Sequence, residues 1–428
     1  MTVQQTAEKV SNHRASNDEM NFRFGHLAVP IGGVLVGLTL FEPRSGNFAY
    51  VAGGDRLDSL LFSDVTAVAL AGVVAVLTAC FVARAGLAVG LVVIGVLLIS
   101  IPMLAPAILG LYFNGLGAGL VLGGLLVLCR TGPLAWLQSA LAVGVLLGSI
   151  DMVSTIPRRY ADYSAVGDDL GSTTGWLLLA GTGCLTLFLF FSDIRADVLD
   201  RRDLTFGLGL PVGALAVYWL YIRAASGESD PGSVWPASVA WAVVTVAVLL
   251  GSLWLSRGSR TAGLIAVTAL AVAAVDAQPT FVTDGRWTFV GVVTAVIGAV
   301  VGRRWPAPVV GIGLLAGVAA VGTVDGSLAA LMFPAVAAFA LASSVPTTGA
   351  VAAPALLAPL LLVLPFTADV GWTANGNLDG WTAIGPSHEE LVIADVAGIA
   401  TIALCAVVAW VQVRRRTVTP TDGETNGR

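Results

Sequence analysis

The sequence predicts an all-α polytopic membrane protein with about fourteen transmembrane helices, twelve or thirteen being the alternative counts. Three observations carry that reading. Hydrophobic residues fill 56% of 428 positions and charged residues only 11%, where a soluble protein carries about a quarter charged. The apolar residues fall in runs long enough to cross a hydrocarbon layer of roughly 30 Å as helices. Arginines favour alternate connections between those runs, the pattern of loops retained in the cytoplasm.

Taken in order, residues 1–25 are polar and charged, without a short apolar core and small-residue cleavage site, and read as a cytoplasmic tail. Apolar runs follow at about 26–41, 65–83, 87–104, 107–129, 133–150, 175–192, 205–222, 236–256, 261–278, 287–302, 307–323, 327–344, 349–367 and 391–412. Even-numbered connections hold Arg84, Arg130, Arg195 with Arg201 and Arg202, Arg257 with Arg260, and Arg303 with Arg304. Odd-numbered connections are acidic or neutral, although Arg158, Arg159, Arg223 and Arg286 break the pattern. Both termini are therefore expected in the cytoplasm. The long connection 368–390, with Trp372, Asn375, Asn377 and Trp381 among glycines, reads as a surface hairpin or cap at headgroup level. Pro102, Pro106, Pro133, Pro306 and Pro354 fall at or inside spans, where an interior proline kinks a helix.

The stretch from Leu104 to Arg130 holds no charge before its last residue. Gly115, Gly119 and Gly123 recur every fourth position, which aligns them on one helix face and lets a neighbouring backbone approach closely. Replacing Val121, which lies off that face, by Leu is expected to be much milder than replacing Gly119 by Leu. Asn114, near the middle of the stretch, needs a partner that lipid tails do not provide, either in helix packing or along a cavity.

Several function classes drop out. No basic run interleaved with aromatics offers a nucleic-acid surface. Cys80, Cys129, Cys184 and Cys405 are scattered through apolar runs, and His13, His26 and His388 do not cluster, so neither a metal site nor a catalytic triad is expected, and no cofactor. No G-x-x-x-x-G-K-[ST] loop binds ATP. Almost no ionisable residue sits at a span centre. Asp151, Asp276 and Asp325 lie toward outer ends, and Glu42 with Arg44 lies just beyond the first span. They are read either as rim carboxylates in water or, for Asp151 or Asp276, as a vestibule group that exchanges protons with an outer cavity.

The run from Phe41 to Gly72, ARAG at Ala83 to Gly86, LGLYFNGLGAG at Leu109 to Gly119, ALAVGVLLGS at Ala140 to Ser149 and GRRWP at Gly302 to Pro306 together resemble the major facilitator superfamily in its fourteen-helix drug:proton antiporter branch. Arg84 and Gly86 keep two letters of that family's cytoplasmic loop motif, while its acidic position is Ala83. The fourth-helix arginine is replaced by Leu111 and the fifth-helix Gly-Pro by Gly148-Ser149. The resemblance implies a six-helix bundle over 26–192, a cytoplasmic link with two inserted helices over 193–260, a second six-helix bundle over 261–412, and a basic tail over 413–428. The two bundles would be pseudo-symmetric.

Composition and resemblance together imply a multi-pass protein of a bacterial plasma membrane whose partners are the lipid bilayer and a small-molecule substrate. The expected activity is secondary transport, export of a neutral or lipophilic molecule with protons as a coupling ion. Asp151, Asp276, Asn114 and Glu42 are the coupling or substrate candidates. A non-transporting scaffold and a transferase using a lipid-linked donor, with Asp55, Asp58 and Asp64 as its acid/base or metal groups, are the other two readings.

Overall fold

The computed structural model describes residues 27–40, 64–104, 109–129, 137–149, 173–187, 201–225, 235–257, 260–276, 288–344, 373–377, 380–384 and 388–414. Its helices are α1 (Leu27–Leu40), α2 (Asp64–Phe81), α3 (Ala85–Leu104), α4 (Gly110–Leu128), α5 (Leu137–Ser149), α6 (Thr173–Leu187), α7 (Arg201–Ala225), α8 (Trp235–Leu255), α9 (Arg260–Asp276), α10 (Thr288–Arg304), α11 (Pro308–Gly322), α12 (Gly326–Ser344) and α13 (His388–Arg414). The apolar run 349–367 lies outside the described residues. One antiparallel hairpin interrupts the helical order, β1 (Thr373–Asn377) on β2 (Gly380–Ile384), with Asn375 opposite Thr382 and Asn377 opposite Gly380.

The helices are the apolar runs, coiled because a chain in hydrocarbon must satisfy every backbone N–H and C=O within itself. Leu87, Ile94, Leu97 and Ile101 line the outside of α3, and Phe289, Val293, Ile297 and Val300 the outside of α10. Spacings of three, four and seven residues put each set on one side. Such stripes are at home against acyl chains and would be a liability in water. The chain is thus an all-α polytopic membrane protein, with one hairpin. Enclosed helices can be short. α5 has 13 residues, a rise of about 20 Å, less than a bilayer core, and nearly all of it is buried.

Packing repeats itself along the chain. α4 sits between α2 and α3, and α12 sits in the same way between α10 and α11. α6 packs on α3 as α13 packs on α11. α1 meets α4 and α6 where Gly32 abuts Leu125 and Thr182, and α9 meets α12 and α13. The close approaches are made by small residues on opposite partners in the two copies. On the first side a Cβ at Gly115 would meet Ala67 O at 2.7 Å and one at Gly119 would meet Ala71 O at 2.7 Å, so the glycines are on α4. On the second side Gly298 and Gly302 of α10 lie against the Ala335 and Phe339 carbonyls of α12.

α5 connects the copies. Leu141 and Val145 belong to a core with α2, α3 and α4, while Val143 and Leu146 belong to a second core with α9, α11 and α12. That division follows the helix period, one face turned to each core. Toward α1 the contact is backbone to backbone: Gly33 lies against Leu141 O and Gly144, and Gly37 against Val145 O and Gly148. Across the other face α5 reaches α10 and α12.

Three positions differ from the sequence reading. Val121 is fully buried and touches Gly95 of α3, because α4 is gripped on two faces rather than one, so it is not a permissive site. Among the described residues, Pro102, Pro211 and Pro334 lie deep inside helices, the last two absent from the kinks expected above, and Pro30 lies in the first turn of α1. Pro306 lies in the turn between α10 and α11, and Pro308 opens α11, where its missing N–H costs no hydrogen bond.

Asp325 caps α12. Its Oδ1 accepts from Ser327 Oγ at 2.6 Å, Ser327 N at 3.0 Å and Leu328 N at 3.1 Å. The Ser327 hydroxyl, then the two backbone amides, hold the carboxyl below its ordinary value. A carboxyl lowered in the folded state stabilises above its unfolded value, and that stabilisation fades as pH falls through the folded value. Asp325→Ala should therefore lower the thermal midpoint at neutral pH, with the gap to the parent closing in acid. A gap that stays constant over that range would mean the carboxylate charge does not contribute.

Candidate functional site

Every charged side chain that the structure describes is exposed: Arg84, Arg257, Arg303, Arg304, Asp325 and Arg414. All lie at helix ends or turns. Arg84 stands in the short turn between α2 and α3, its carbonyl accepting from Ala88 N at 3.1 Å, and Gly86 is in the first turn of α3. Arg414 stacks on Trp410, its guanidinium carbon 4.0 Å from the ring centre, a cation–π pair at the end of α13. Among the described residues, no group of His, Cys, Asp and Glu is placed to hold a metal.

The interior polarity is therefore made of uncharged groups, most of them satisfied. Thr39 donates to Leu35 O, Ser149 to Leu146 O and Ser252 to Leu249 O, each within its own helix. Thr268 of α9 and Ser344 of α12 share a hydrogen bond of 2.7 Å. Gln138, at the start of α5, donates to Cys129 O at the end of α4, 3.4 Å away.

Among the described residues, Asn114, Gln138, Thr182, Thr245 and Gln412 each keep a buried oxygen without a partner. Asn114 is 5% exposed, and its Oδ1 is buried without a hydrogen-bond partner, a costly state in an apolar interior. Because α4 starts only at Gly110, Asn114 lies one turn from that end rather than at mid-helix. At about 100° per residue, Asn114 shares a stripe with Ala118 and Leu125, between the face that grips α2 and the face that grips α3. Leu125 on that stripe abuts Gly32 of α1, so Asn114 faces the interior of the first half. Of the other buried oxygens without a partner, Thr182 Oγ1 on α6 also belongs to a residue beside Gly32.

Of the other candidates, Asp276 is the last residue of α9, whereas Asp151 and Glu42 lie outside the described residues. Gly115, Gly119 and Gly123 are placed against Ala67, Ala71 and Ala75 of α2. The glycine contact of α1 with α5 is not among the sequence expectations, although paired glycines four apart at Gly33, Gly37 and Gly144, Gly148 are visible there.

Fold and interior define a helical membrane protein with a repeated packing plan and, among the described residues, no buried charge. No known protein family matches the chain, and no curated protein is similar to it. Among solved structures it is similar to an auto inhibited POT family peptide transporter, at 12% identity and a TM-score of 0.47, over 95% of this chain and 99% of the other. It is similar also to the xylose transporter XylE from E. coli in a partially occluded inward open conformation, at 16% identity and a TM-score of 0.42, over 95% and 100%. A third is FucP, a Major Facilitator Superfamily transporter in the outward conformation, at 11% identity and a TM-score of 0.41, over 92% and 99%.

Proposed function

We propose that this chain is a secondary transporter of the major-facilitator type, in which two halves rock to expose a central site to each side of the membrane in turn. The observation that carries the reading is the recurrence of the α2–α3–α4 packing in α10–α11–α12, with α5 lying between the copies. Parallel structural repeats of this kind are how transporters build two rigid bodies around one site. The substrate is an uncharged or lipophilic small molecule, because the described interior offers amide and hydroxyl groups and no buried charge. The direction is export from a bacterial cytoplasm. The helix pair α7 and α8 between the halves is the feature that favours the fourteen-helix antiporter branch.

Proton coupling is assigned to Asp151 or Asp276, since a coupling carboxylate has to be reached by protons from outside and the sequence puts both toward the outer ends of their apolar runs. Replacing either by Asn keeps shape and removes the exchangeable proton. The test is efflux of the neutral lipophilic dye Nile red from cells, with proton flux followed in proteoliposomes. The parent should extrude the dye, and Asp151→Asn or Asp276→Asn should abolish its dependence on a proton gradient. Undiminished coupled flux in the double variant sinks the carboxylate assignment. Parent cells that retain the dye as control cells do would favour a scaffold over a transporter for such molecules.

The orientation proposed places both termini in the cytoplasm, on the arginine alternation. In a background without the four native cysteines, cysteines at Ser164 and Asn375 should react with an impermeant thiol reagent on intact cells, and one at Thr421 should not. The opposite pattern would invert the topology.

A further inference from the structure

The α7–α8 pair is divided between the two halves. α8 is fixed to the second half at three points. Trp241 Nε1 donates to Thr401 Oγ1 of α13 at 3.0 Å, and Gln412 Nε2 of α13 donates to Ser252 Oγ at 3.4 Å. The two bonds lie about three turns apart along both helices, roughly 16 Å, so they fix rotation as well as position. Between them and α9, Gly263 lies against Ser252 O, leaving no room for a side chain. Trp241, Val244, Val248 and Leu249 complete the attachment inside the second core.

α7 goes the other way. It packs on α2, its Ala214 is part of the first core, and Leu204, Leu208 and Leu215 rest against that core. Among the described side chains of α7, Leu210 alone touches both cores. Gly209 and Gly213 have nothing within 4 Å, so that side of the helix meets neither half. Polar anchors and a glycine contact hold α8 to the second half, while Ala214, Leu204, Leu208 and Leu215 seat α7 on the first core.

We propose that α7 and α8 form a strap across the two halves, with the boundary between the moving bodies running between α7 and α8 at Leu210. The proposal rests on the alternating-access reading above. It means that relative motion of the halves is taken up at two joints, α5 against α10 and α12, and α7 against α8, the second limiting how far the first can open. Shear between packed helices is an established way for domains to move without unpacking.

The experiment is pulsed electron paramagnetic resonance on the full chain in lipid nanodiscs, cysteine-free apart from pairs of spin labels at exposed positions, with and without Nile red. Leu87 with Val310 reports on the halves, Leu77 with Val212 on α2 against α7, Val212 with Val246 on α7 against α8, and Val246 with Val407 on α8 against α13. The expected result is two distance populations for Leu87–Val310 and for Val212–Val246, shifting together with dye, and one population for each of the other pairs. Two populations for Leu77–Val212 with a fixed Val212–Val246 distance would place α7 in the second half and overturn the strap, leaving the transport reading intact. A single unchanging population for all four pairs would overturn both.

Discussion

Gly119→Leu is expected to remove most of the folded protein recovered in mild detergent, while Gly317→Leu leaves recovery within about twofold of the parent, inside the range of a neutral surface change. The contrast isolates packing from helix preference. Leucine is the better helix former by about 0.8 kcal/mol at either position in a water-exposed helix, so propensity predicts a gain for both. Space decides otherwise. A Cβ at Gly119 would meet Ala71 O at 2.7 Å, Val74 Cβ at 2.8 Å and Ala71 Cα at 3.0 Å, whereas at Gly317 nothing lies within 4 Å. Two of the three obstacles at Gly119 are backbone atoms of α2, which move only if the helix moves. Overpacking a core costs about 1–3 kcal/mol where side chains can adjust, and here they cannot. Gly119→Ala should fall between the two. Fluorescence-detected gel filtration and a thermal midpoint measure all three variants, and equal recovery of Gly119→Leu and Gly317→Leu would take Gly119 out of the α2–α4 contact.

Helices were legible in the sequence because lipid enforces a simple rule, a long apolar run, and the thirteen helices among the described residues fall on thirteen of the fourteen runs. Where boundaries moved, the cause is visible. α7 begins at Arg201 rather than near 205, since a helix continues through a polar turn that hydropathy does not count. Partnership was less legible. The four-residue glycine spacing in α4 announced a close contact but not that α2 receives it, nor that Gly95 of α3 claims a second face and buries Val121. The repeat was implied by the family resemblance but not written in the residues, for a related reason. Its close contacts share a geometry while the glycine passes from α4 in one copy to α10 in the other, so no residue pattern recurs at a fixed period. Asn114 stood out as a lone amide in an apolar run, but its facing toward α1 depends on the rotation of α4 between two neighbours, which only the packed structure supplies.

Asn114→Leu should make the protein more stable and a poorer transporter. The parent buries the Asn114 Oδ1 without a partner, and a buried polar atom left unpaired costs about 1–3 kcal/mol. Leucine keeps the same branched skeleton, with bulkier ends but no polar atom to satisfy, so the thermal midpoint should rise by the few degrees that correspond to recovering part of that cost. A group kept at such a cost has its use in another state. When the halves move and the interior of the first half opens, water can reach Oδ1 and the amide N–H is free to donate to the carbonyl of a neutral substrate such as Nile red, without placing a charge in the bilayer. Losing one such bond is worth about tenfold in rate per 1.4 kcal/mol, so Nile red efflux in Asn114→Leu should drop by at least about that factor. Asn114→Gln, which keeps the amide and displaces it by a methylene, should fall less. Raised stability with unchanged efflux would leave Asn114 as a packing residue only, and lowered stability would show that its oxygen finds a partner in the folded protein after all.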